Sequence, residues 1–135
     1  MKLITYLHFN GQCEEALNFY KDCFKGTILQ FSRMGDSPKP VPDSHKNQVM
    51  HARLQFGDNL LYMSDSLSNN TTTIGNNIRL SLEFRDAKKM NDLFARLSEG
   101  GKIIMALQDT FWHARFGQLV DKFGIHWMMN CELKR

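Results

Sequence analysis

The chain has 135 residues and a formal net charge of +3, and 42% of its residues are hydrophobic. That length suits one folded domain, or two small modules that share one core. The composition excludes a disordered chain and a coiled coil. The 17 Lys and Arg residues are scattered along the sequence instead of forming a stripe, so we expect no nucleic-acid partner.

The sequence also indicates where the protein works. It contains no apolar run close to the roughly 20 residues that cross a membrane, and its first residues, "MKLITYLHFNG", lack a signal segment. Its three cysteines are an odd number without CxxC spacing, which favours free thiols over a disulfide framework or a zinc ribbon. We therefore expect a cytoplasmic protein without a membrane partner.

Hydrophobic periodicity predicts the same order of elements, βαβββ, in each half of the chain. In the first half we predict strands near 2–10, 27–33, 48–56 and 59–65, with a helix over 13–24. In the second half we predict strands near 77–85, 102–106, 112–121 and 125–132, with a helix over 87–99. The predicted fold class is α+β, a single domain over 1–135 built from βαβββ modules at 1–70 and 76–135.

The two halves also match each other in sequence, which indicates an internal repeat. A shift of 75 residues pairs Leu7 with Leu82, Phe9 with Phe84, Phe19 with Phe94, Gly26 with Gly101, and Ile28 with Ile103. Later the shift falls to 67, where "FGDNLLYM" at 56–63 matches "FGIHWMMN" at 123–130. The second copy therefore lacks about eight residues of the loop "MGDSPKPVPDSHKN", residues 34–47.

Strand alternation gives each module one polar face. In "IRLSLEFRD" the apolar side chains of Ile78, Leu80, Leu82 and Phe84 alternate with Arg79, Ser81, Glu83 and Arg85. In the first module the polar face carries Tyr6 and His8, and "NQVMHARLQF" adds His51 and Arg53 opposite Met50, Ala52, Leu54 and Phe56. A solvated face is the simpler interpretation. The mixture of aromatic, apolar and cationic groups favours a pocket for a small polar or anionic molecule.

The segment 108–130 contains both tryptophans of the chain and has several structural interpretations. Trp127 and Met129 lie opposite Met128 on the last predicted strand, so we expect them in the core. Trp112 is expected in a cavity wall or in a dimer contact. Asp121, before "KFG", is expected to cap the last hairpin through backbone hydrogen bonds.

These motifs resemble a known family. The βαβββ repeat, "EEALNFYKDCFKG", "VMHARLQFGD" and "LQDTFWHARFGQLVDKFGIHWMMN" together resemble the vicinal oxygen chelate superfamily, which includes glyoxalase I, bleomycin-resistance proteins and extradiol dioxygenases. Within it the sequence is most similar to the PhnB-like subgroup, also labelled demethylubiquinone methyltransferase-like. The resemblance implies two modules that form a U-shaped mixed sheet around a cavity, in a homodimer.

The resemblance also bears on metals and cofactors. In metal-dependent members each module supplies two ligands, and these positions map to Ile4 and Leu61, and to Arg79 and Met128. None is a usual ligand for a divalent metal in such a site. The methyltransferase label would require a site for an adenosyl donor, and the sequence has no Gly-rich strand-to-helix loop. We therefore expect neither the metal of the family nor a cofactor.

Three functional hypotheses follow. The first is a metal-free small-molecule-binding protein whose ligand contacts Tyr6, His8, His51, Arg53, Arg79, Glu83, Trp112, His126 and Met128. The second is a metal-dependent lyase or dioxygenase that uses His8, His51, His126 and Glu83 as relocated ligands. The third is a dimeric scaffold without a small ligand. The loop 34–47 is expected to be a mobile flap over the cavity, or a tolerated surface insertion.

Overall fold

A computed structural model describes residues 1–66 and 72–133, and the chain divides into two compact units, Met1–Thr73 and Ile74–Arg135. The first unit contains β1 (Thr5–Phe9), α1 (Cys13–Phe24), β2 (Thr27–Arg33), β3 (Val49–Phe56) and β4 (Asn59–Asp65). The second contains β5 (Leu80–Phe84), α2 (Ala87–Leu97), β6 (Lys102–Asp109), β7 (Ala114–Val120) and β8 (His126–Glu132). The predicted βαβββ order is confirmed in both units. In the described part of the chain, neither helix is long and apolar enough to cross a membrane.

Each unit forms its own mixed four-stranded sheet. The strand order is β1-β4-β3-β2 in the first unit and β5-β8-β7-β6 in the second. The first strand of each unit runs parallel to the last, and the other neighbours are antiparallel. One helix of each unit packs on one face of its sheet, and we call the other face of each sheet its open face.

The helix-covered faces form the cores. In the first unit the buried side chains include Leu17 and Tyr20 of α1 and Leu54, Leu61 and Met63 of the sheet. In the second unit they include Met90, Phe94 and Leu97 of α2 and Leu119, Trp127 and Met129 of the sheet. The core position predicted for Trp127 is confirmed. Burial of each large apolar side chain contributes about 1.5–3 kcal/mol to folding, so these faces hold each unit together.

The two glycines that the repeat aligns, Gly26 and Gly101, occupy positions with no space for a side chain. A Cβ atom at Gly26 would lie 2.8 Å from the carbonyl oxygen of Gln55, and one at Gly101 would lie 2.2 Å from that of Val120. Both glycines therefore let the chain pass close to the neighbouring strand. The left-handed residue that ends α1 is Lys25, with φ of 52°. Gly26 is thus required for the close approach to β3, whereas the left-handed position at the helix end belongs to Lys25.

A buried carboxylate that is distant in sequence caps the N-terminus of α1. Asp65, at the end of β4, accepts hydrogen bonds from the backbone N–H of Cys13 at 3.0 Å and of Val49 at 2.9 Å. It therefore caps the helix and ties it to β3 and β4. The second helix is capped locally, because Asp86 accepts from the backbone N–H of Lys88.

The two hairpins that precede the last strands differ in length. In the first unit β3 and β4 are joined by a two-residue turn between Phe56 and Asn59. In the second unit residues 121–125 join β7 to β8, and Asp121 organises them. One oxygen of Asp121 accepts from the backbone N–H of Phe123 and Ile125, and the other accepts from the indole N–H of Trp127. The predicted capping role of Asp121 is confirmed.

This difference corrects the sequence alignment of the repeat. Leu61 of β4 pairs with Thr5 of β1, and Trp127 of β8 pairs with Leu80 of β5. The shift of 75 residues aligns Thr5 with Leu80, so Leu61 corresponds to Trp127. The predicted pairing of Leu61 with Met128 is therefore wrong by one residue. The cause is physical, since the matching Phe-Gly pairs occupy different positions in hairpins of different length.

Candidate functional site

The open face of the first sheet brings four polar and aromatic side chains together. Tyr6 of β1 lies beside Tyr62 of β4, and Tyr62 lies beside Arg53 of β3 in the strand register. His51 lies on the same face as Arg53, two residues earlier on β3, and contacts both Tyr6 and Tyr62. We call Tyr6, His51, Arg53 and Tyr62 the Tyr6 cluster. The sequence predicted Tyr6, His51 and Arg53 on this face, and the structure places them in direct contact.

A chain of hydrogen bonds fixes the protons of the Tyr6 cluster. Arg53 Nε donates to His51 Nε2 over 2.9 Å, so this nitrogen carries the lone pair. A neutral imidazole then has its hydrogen on Nδ1, which lies 2.9 Å from the Tyr6 hydroxyl oxygen. Nδ1 donates to that oxygen, and the Tyr6 O–H is left to donate elsewhere. Tyr6 is 40% exposed, so its hydrogen can reach a molecule on the open face.

The electrostatics of the face support this arrangement. Burial, and then the nearby charge of Arg53, lower the pKa of His51 below its ordinary value. The imidazole is therefore neutral at neutral pH, as the hydrogen-bond chain requires. The four side chains of the cluster include no carboxylate, so Arg53 gives the face a positive charge.

Tyr62 holds the guanidinium in place. The Arg53 carbon Cζ lies 4.5 Å from the centre of the Tyr62 ring, and the His51 ring meets Tyr62 edge-on at 5.2 Å. A cation over an aromatic ring gains about 0.5–1 kcal/mol at a partly exposed site. Arg53 is consequently kept against the sheet instead of extending into water.

A cleft of about 620 Å³ lies in the same unit. Its walls come from the ends of β1, β3 and β4 and from the loop 34–47. The lining residues are His8, Met34, Ser37, Lys39, Pro40, Val41, Pro42, His45, Met50, Ser64, Asp65 and Ser66. His8 donates to or accepts from the Ser64 hydroxyl at 3.1 Å, and its ring stacks on Tyr6 with 4.8 Å between centroids. His8 therefore both lines the cleft and contacts the Tyr6 cluster.

The base of the loop is fixed to the body of the unit. Arg33 donates to both carboxylate oxygens of Glu14, at 3.0 and 2.7 Å, and to the carbonyl oxygen of Asn47 at 2.8 Å. The backbone N–H of Met34 donates to the carbonyl oxygen of Gln48, and the Met34 side chain is buried. Any motion of the predicted flap would therefore involve residues 37–45, and its mobility stays a prediction.

Met50 corrects the sequence interpretation of β3. Strict alternation placed Met50 on the core face, but its side chain is 43% exposed and lines the cleft. An irregularity between Ser32 and Arg33 pairs Arg33 with Val49, and Val49 takes the buried position. Such β-bulges redirect side chains. Here the bulge turns Met50 from the core to the cleft.

The other predicted ligand residues lie in the second unit, namely Arg79, Glu83, Trp112, His126 and Met128. Glu83, His126 and Met128 share the open face of that sheet, and Glu83 accepts from Asn130 at 3.0 Å. Arg79 is exposed just before β5. Trp112 is 53% exposed and meets Phe111 edge-on at 4.9 Å, so its role in a cavity wall or dimer contact stays a prediction.

One of the four mapped metal positions needs the same one-residue correction. Leu61 is 4% exposed and faces the core, so the open-face residue at that site is Tyr62. The corrected set of Ile4, Tyr62, Arg79 and Met128 offers no imidazole and no carboxylate, and does not fit a divalent metal of this kind. Across residues 1–66 and 72–133, no group of three His, Cys, Asp or Glu side chains is arranged to hold a metal ion.

Several site residues were missed in the sequence. Tyr62 and Ser64 could have been found by alternation along β4, had the hairpin length been known. Lys39, Pro40 and Val41 line the cleft only because the fixed base of the loop directs its tip there. The length of the loop 34–47 predicts a flap over a cavity, but no local pattern identifies these three residues as the ones that line the cleft.

Comparisons with known proteins give a matching family, a relative and a similar solved structure. The family described as 3-demethylubiquinone-9 3-methyltransferase matches residues 1–130. Protein YjdN of Escherichia coli is 31% identical over 140 residues, which cover 96% of this chain and 95% of that protein. The crystal structure of protein PA1353 from Pseudomonas aeruginosa superimposes with a TM-score of 0.90 at 38% identity and covers 99% of both chains.

Two further structures relate the chain to broader groups. A putative 3-demethylubiquinone-9 3-methyltransferase, PhnB protein, from Bacillus cereus gives a TM-score of 0.78 at 29% identity, over 97% of this chain and 99% of the other. A glyoxalase/bleomycin resistance protein/dioxygenase family enzyme from Burkholderia phytofirmans gives 0.62 at 17% identity, over 96% and 98%. The second likeness concerns the fold alone.

Proposed function

The chain belongs to the 3-demethylubiquinone-9 3-methyltransferase family, a PhnB-like group with the glyoxalase fold, and we propose that it binds a small anionic molecule on the open face of its first unit. The observation that carries this proposal is the hydrogen-bond chain from Arg53 through His51 to Tyr6. The ligand contacts the Tyr6 hydroxyl and the guanidinium of Arg53.

The chemistry of the cluster selects the charge of the ligand. Tyr6 presents an O–H donor, and Arg53 presents a cation with further N–H groups beyond the one that His51 accepts. Donors without a neighbouring carboxylate favour a ligand oxygen that carries negative charge, because charge-assisted hydrogen bonds are the stronger ones. A face made only for solvent does not require Arg53 to be held between an imidazole and a tyrosine ring, since a long cationic side chain can extend into water.

The family description names a methyl transfer, which implies an adenosyl donor. The connection from β1 to α1 is three residues long and contains only one glycine, Gly11. The first N–H of α1, on Cys13, is already bonded to Asp65, so this helix N-terminus is not presented to a cofactor. These residues do not fit such a donor, and no step of the proposed function uses it.

The relocated metal site gains no support from the first unit. His51 accepts a hydrogen bond from Arg53, and a divalent cation at His51 would have to displace that bond and sit beside a positive charge. His8 is engaged by Ser64. Ligand binding is therefore the function that the geometry favours.

Isothermal calorimetry with benzoate tests the proposal, with benzyl alcohol as the neutral probe of the same shape. We expect benzoate to bind about tenfold or more tightly than benzyl alcohol, because only the carboxylate makes charge-assisted hydrogen bonds. Tyr6→Phe and Arg53→Gln should each weaken benzoate about tenfold. Arg96→Gln, an exposed arginine of α2, is the matched control and should leave binding unchanged. Equal binding of the two probes, or unchanged affinity in both cluster variants, would contradict the proposal.

We further propose that the protein is a cytoplasmic homodimer. Edge strands β2 and β6 carry exposed apolar side chains, including Phe31 and Ile104, and such edges are association sites. Cys13, Cys23 and Cys131 are buried, and Cys13 and Cys131 are free thiols, which suits a reducing compartment. Light scattering of the purified chain tests the assembly, and a monomer mass that does not change with concentration would reject it.

A further inference from the structure

We infer that the cleft beside the Tyr6 cluster holds the apolar part of the same ligand, so that the protein takes an amphiphilic carboxylate with an apolar body. This inference rests on the proposed function, because the cluster supplies the contact for the anionic end. It adds a second subsite and a ligand class.

The two subsites meet at His8. The His8 ring stacks on Tyr6 at an interplanar angle of 25°, and the same side chain lines the cleft. Ser64, which is buried, holds the ring through its hydrogen bond with His8 Nδ1. A ligand whose anionic end contacts the Tyr6 hydroxyl can therefore pass along His8 and extend into the cleft.

The cleft is apolar where the ligand body would lie. Met34, Pro40, Val41 and Pro42 contribute apolar surface, and the bulge in β3 adds the Met50 side chain. A sheet that only packed against its helix would bury this methionine in the core. The irregularity that redirects Met50 makes the cleft apolar, and bulges are common beside binding sites.

The charges around the cleft do not oppose an anion. Asp65 is the one carboxylate among the lining residues, and its two oxygens accept the backbone N–H groups of Cys13 and Val49. Lys39 is exposed and contributes a cation. The volume of about 620 Å³ lies within the range of small-molecule sites, about 300–1,000 Å³.

Calorimetry with two probes tests the inference. Benzoate supplies the anionic end alone, and 4-butylbenzoate adds a chain that only the cleft would bury. We expect 4-butylbenzoate to bind about tenfold or more tightly than benzoate in the native protein, since burial of each methylene adds affinity. Met50→Asp should remove this advantage, measured as the ratio of the two affinities within each variant, so that the repulsion of both anions by the new carboxylate cancels.

Two further variants test whether the affinity advantage of the butyl chain depends on the cleft. Met105→Asp changes another exposed methionine, on β6, and should preserve the advantage of the butyl chain. Deletion of residues 37–45, bridged by glycine, removes the prolines and Val41 of the cleft and should abolish the advantage with little change in thermal stability.

The outcomes distinguish this inference from the proposed function. If neither probe binds the native protein, both proposals are wrong. If benzoate binds at the Tyr6 cluster and the butyl chain adds nothing, or if its advantage survives Met50→Asp, the inference fails while the proposed function stands.

Discussion

Replacement of Asp121 by alanine should destabilise the second unit strongly. Its carboxylate is 3% exposed and accepts from Phe123 N at 2.8 Å, from Ile125 N at 3.1 Å and from Trp127 Nε1 at 2.8 Å. Alanine leaves the buried donors of Phe123 and Trp127 without this acceptor, and each orphaned donor costs about 1–3 kcal/mol. The desolvation cost of the carboxylate disappears at the same time. We therefore expect a loss of about 3 kcal/mol in the free energy of unfolding.

Urea unfolding followed by tryptophan fluorescence measures this loss. The chain has two tryptophans, so Trp112→Phe gives a background in which Trp127 alone reports. Asp121→Asn should lose about half as much, because it can keep the two backbone bonds and loses only the indole bond. Asp58→Ala, in the exposed turn of the first hairpin, is the control and should change little. A loss below about 1 kcal/mol for Asp121→Ala would refute the reasoning, since it would mean that the orphaned donors cost almost nothing.

Three further predictions follow from single contacts. Gly101→Ala should destabilise the chain by about 2 kcal/mol because its Cβ meets the Val120 carbonyl, whereas Gly75→Ala has room and should not; equal midpoints in urea would contradict this. The pKa of His51 lies below its ordinary value, so the folded chain resists a proton that the unfolded chain accepts, and stability should fall as the pH drops below the ordinary value and stay level above it. An NMR titration should show the lowered pKa, and Arg53→Gln should restore it only in part, because burial is the larger cause; full restoration would count against burial. Burial, and then the charge of Asp65, raise the pKa of Cys13, so iodoacetamide should modify Cys13 only in urea, and labelling of the native protein would disprove it.

The sequence determined the order of elements and most of their faces. Periodicities of 3.6 and 2 residues depend on local backbone geometry, so a short window of sequence carries the signal. The strand over Leu80–Phe84 shows the result, since its alternation of half-buried and exposed residues follows the predicted pattern. The same alternation placed Tyr6, His51 and Arg53 on one face.

Tertiary structure decided the register between strands and the details of the site. The repeat alignment of Leu61 was wrong by one residue because the two hairpins differ in length. Hairpin length depends on contacts such as those of Asp121, which join residues that no periodic pattern relates. Met50 faces the cleft because β2 and β3 pair with a bulge, which depends on both strands.

The positions of the hydrogen atoms in the Tyr6 cluster are the clearest feature that the sequence did not determine. From the sequence, Tyr6, His51 and Arg53 are only candidate ligand contacts on one polar face, and their hydrogen bonds to each other are not predicted. The donor role of the Tyr6 hydroxyl follows from Arg53 Nε lying 2.9 Å from one particular nitrogen of His51. The two residues lie on the same strand, but their contact depends on ångström distances between side-chain atoms, whereas sequence periodicity fixes only the face on which a side chain lies.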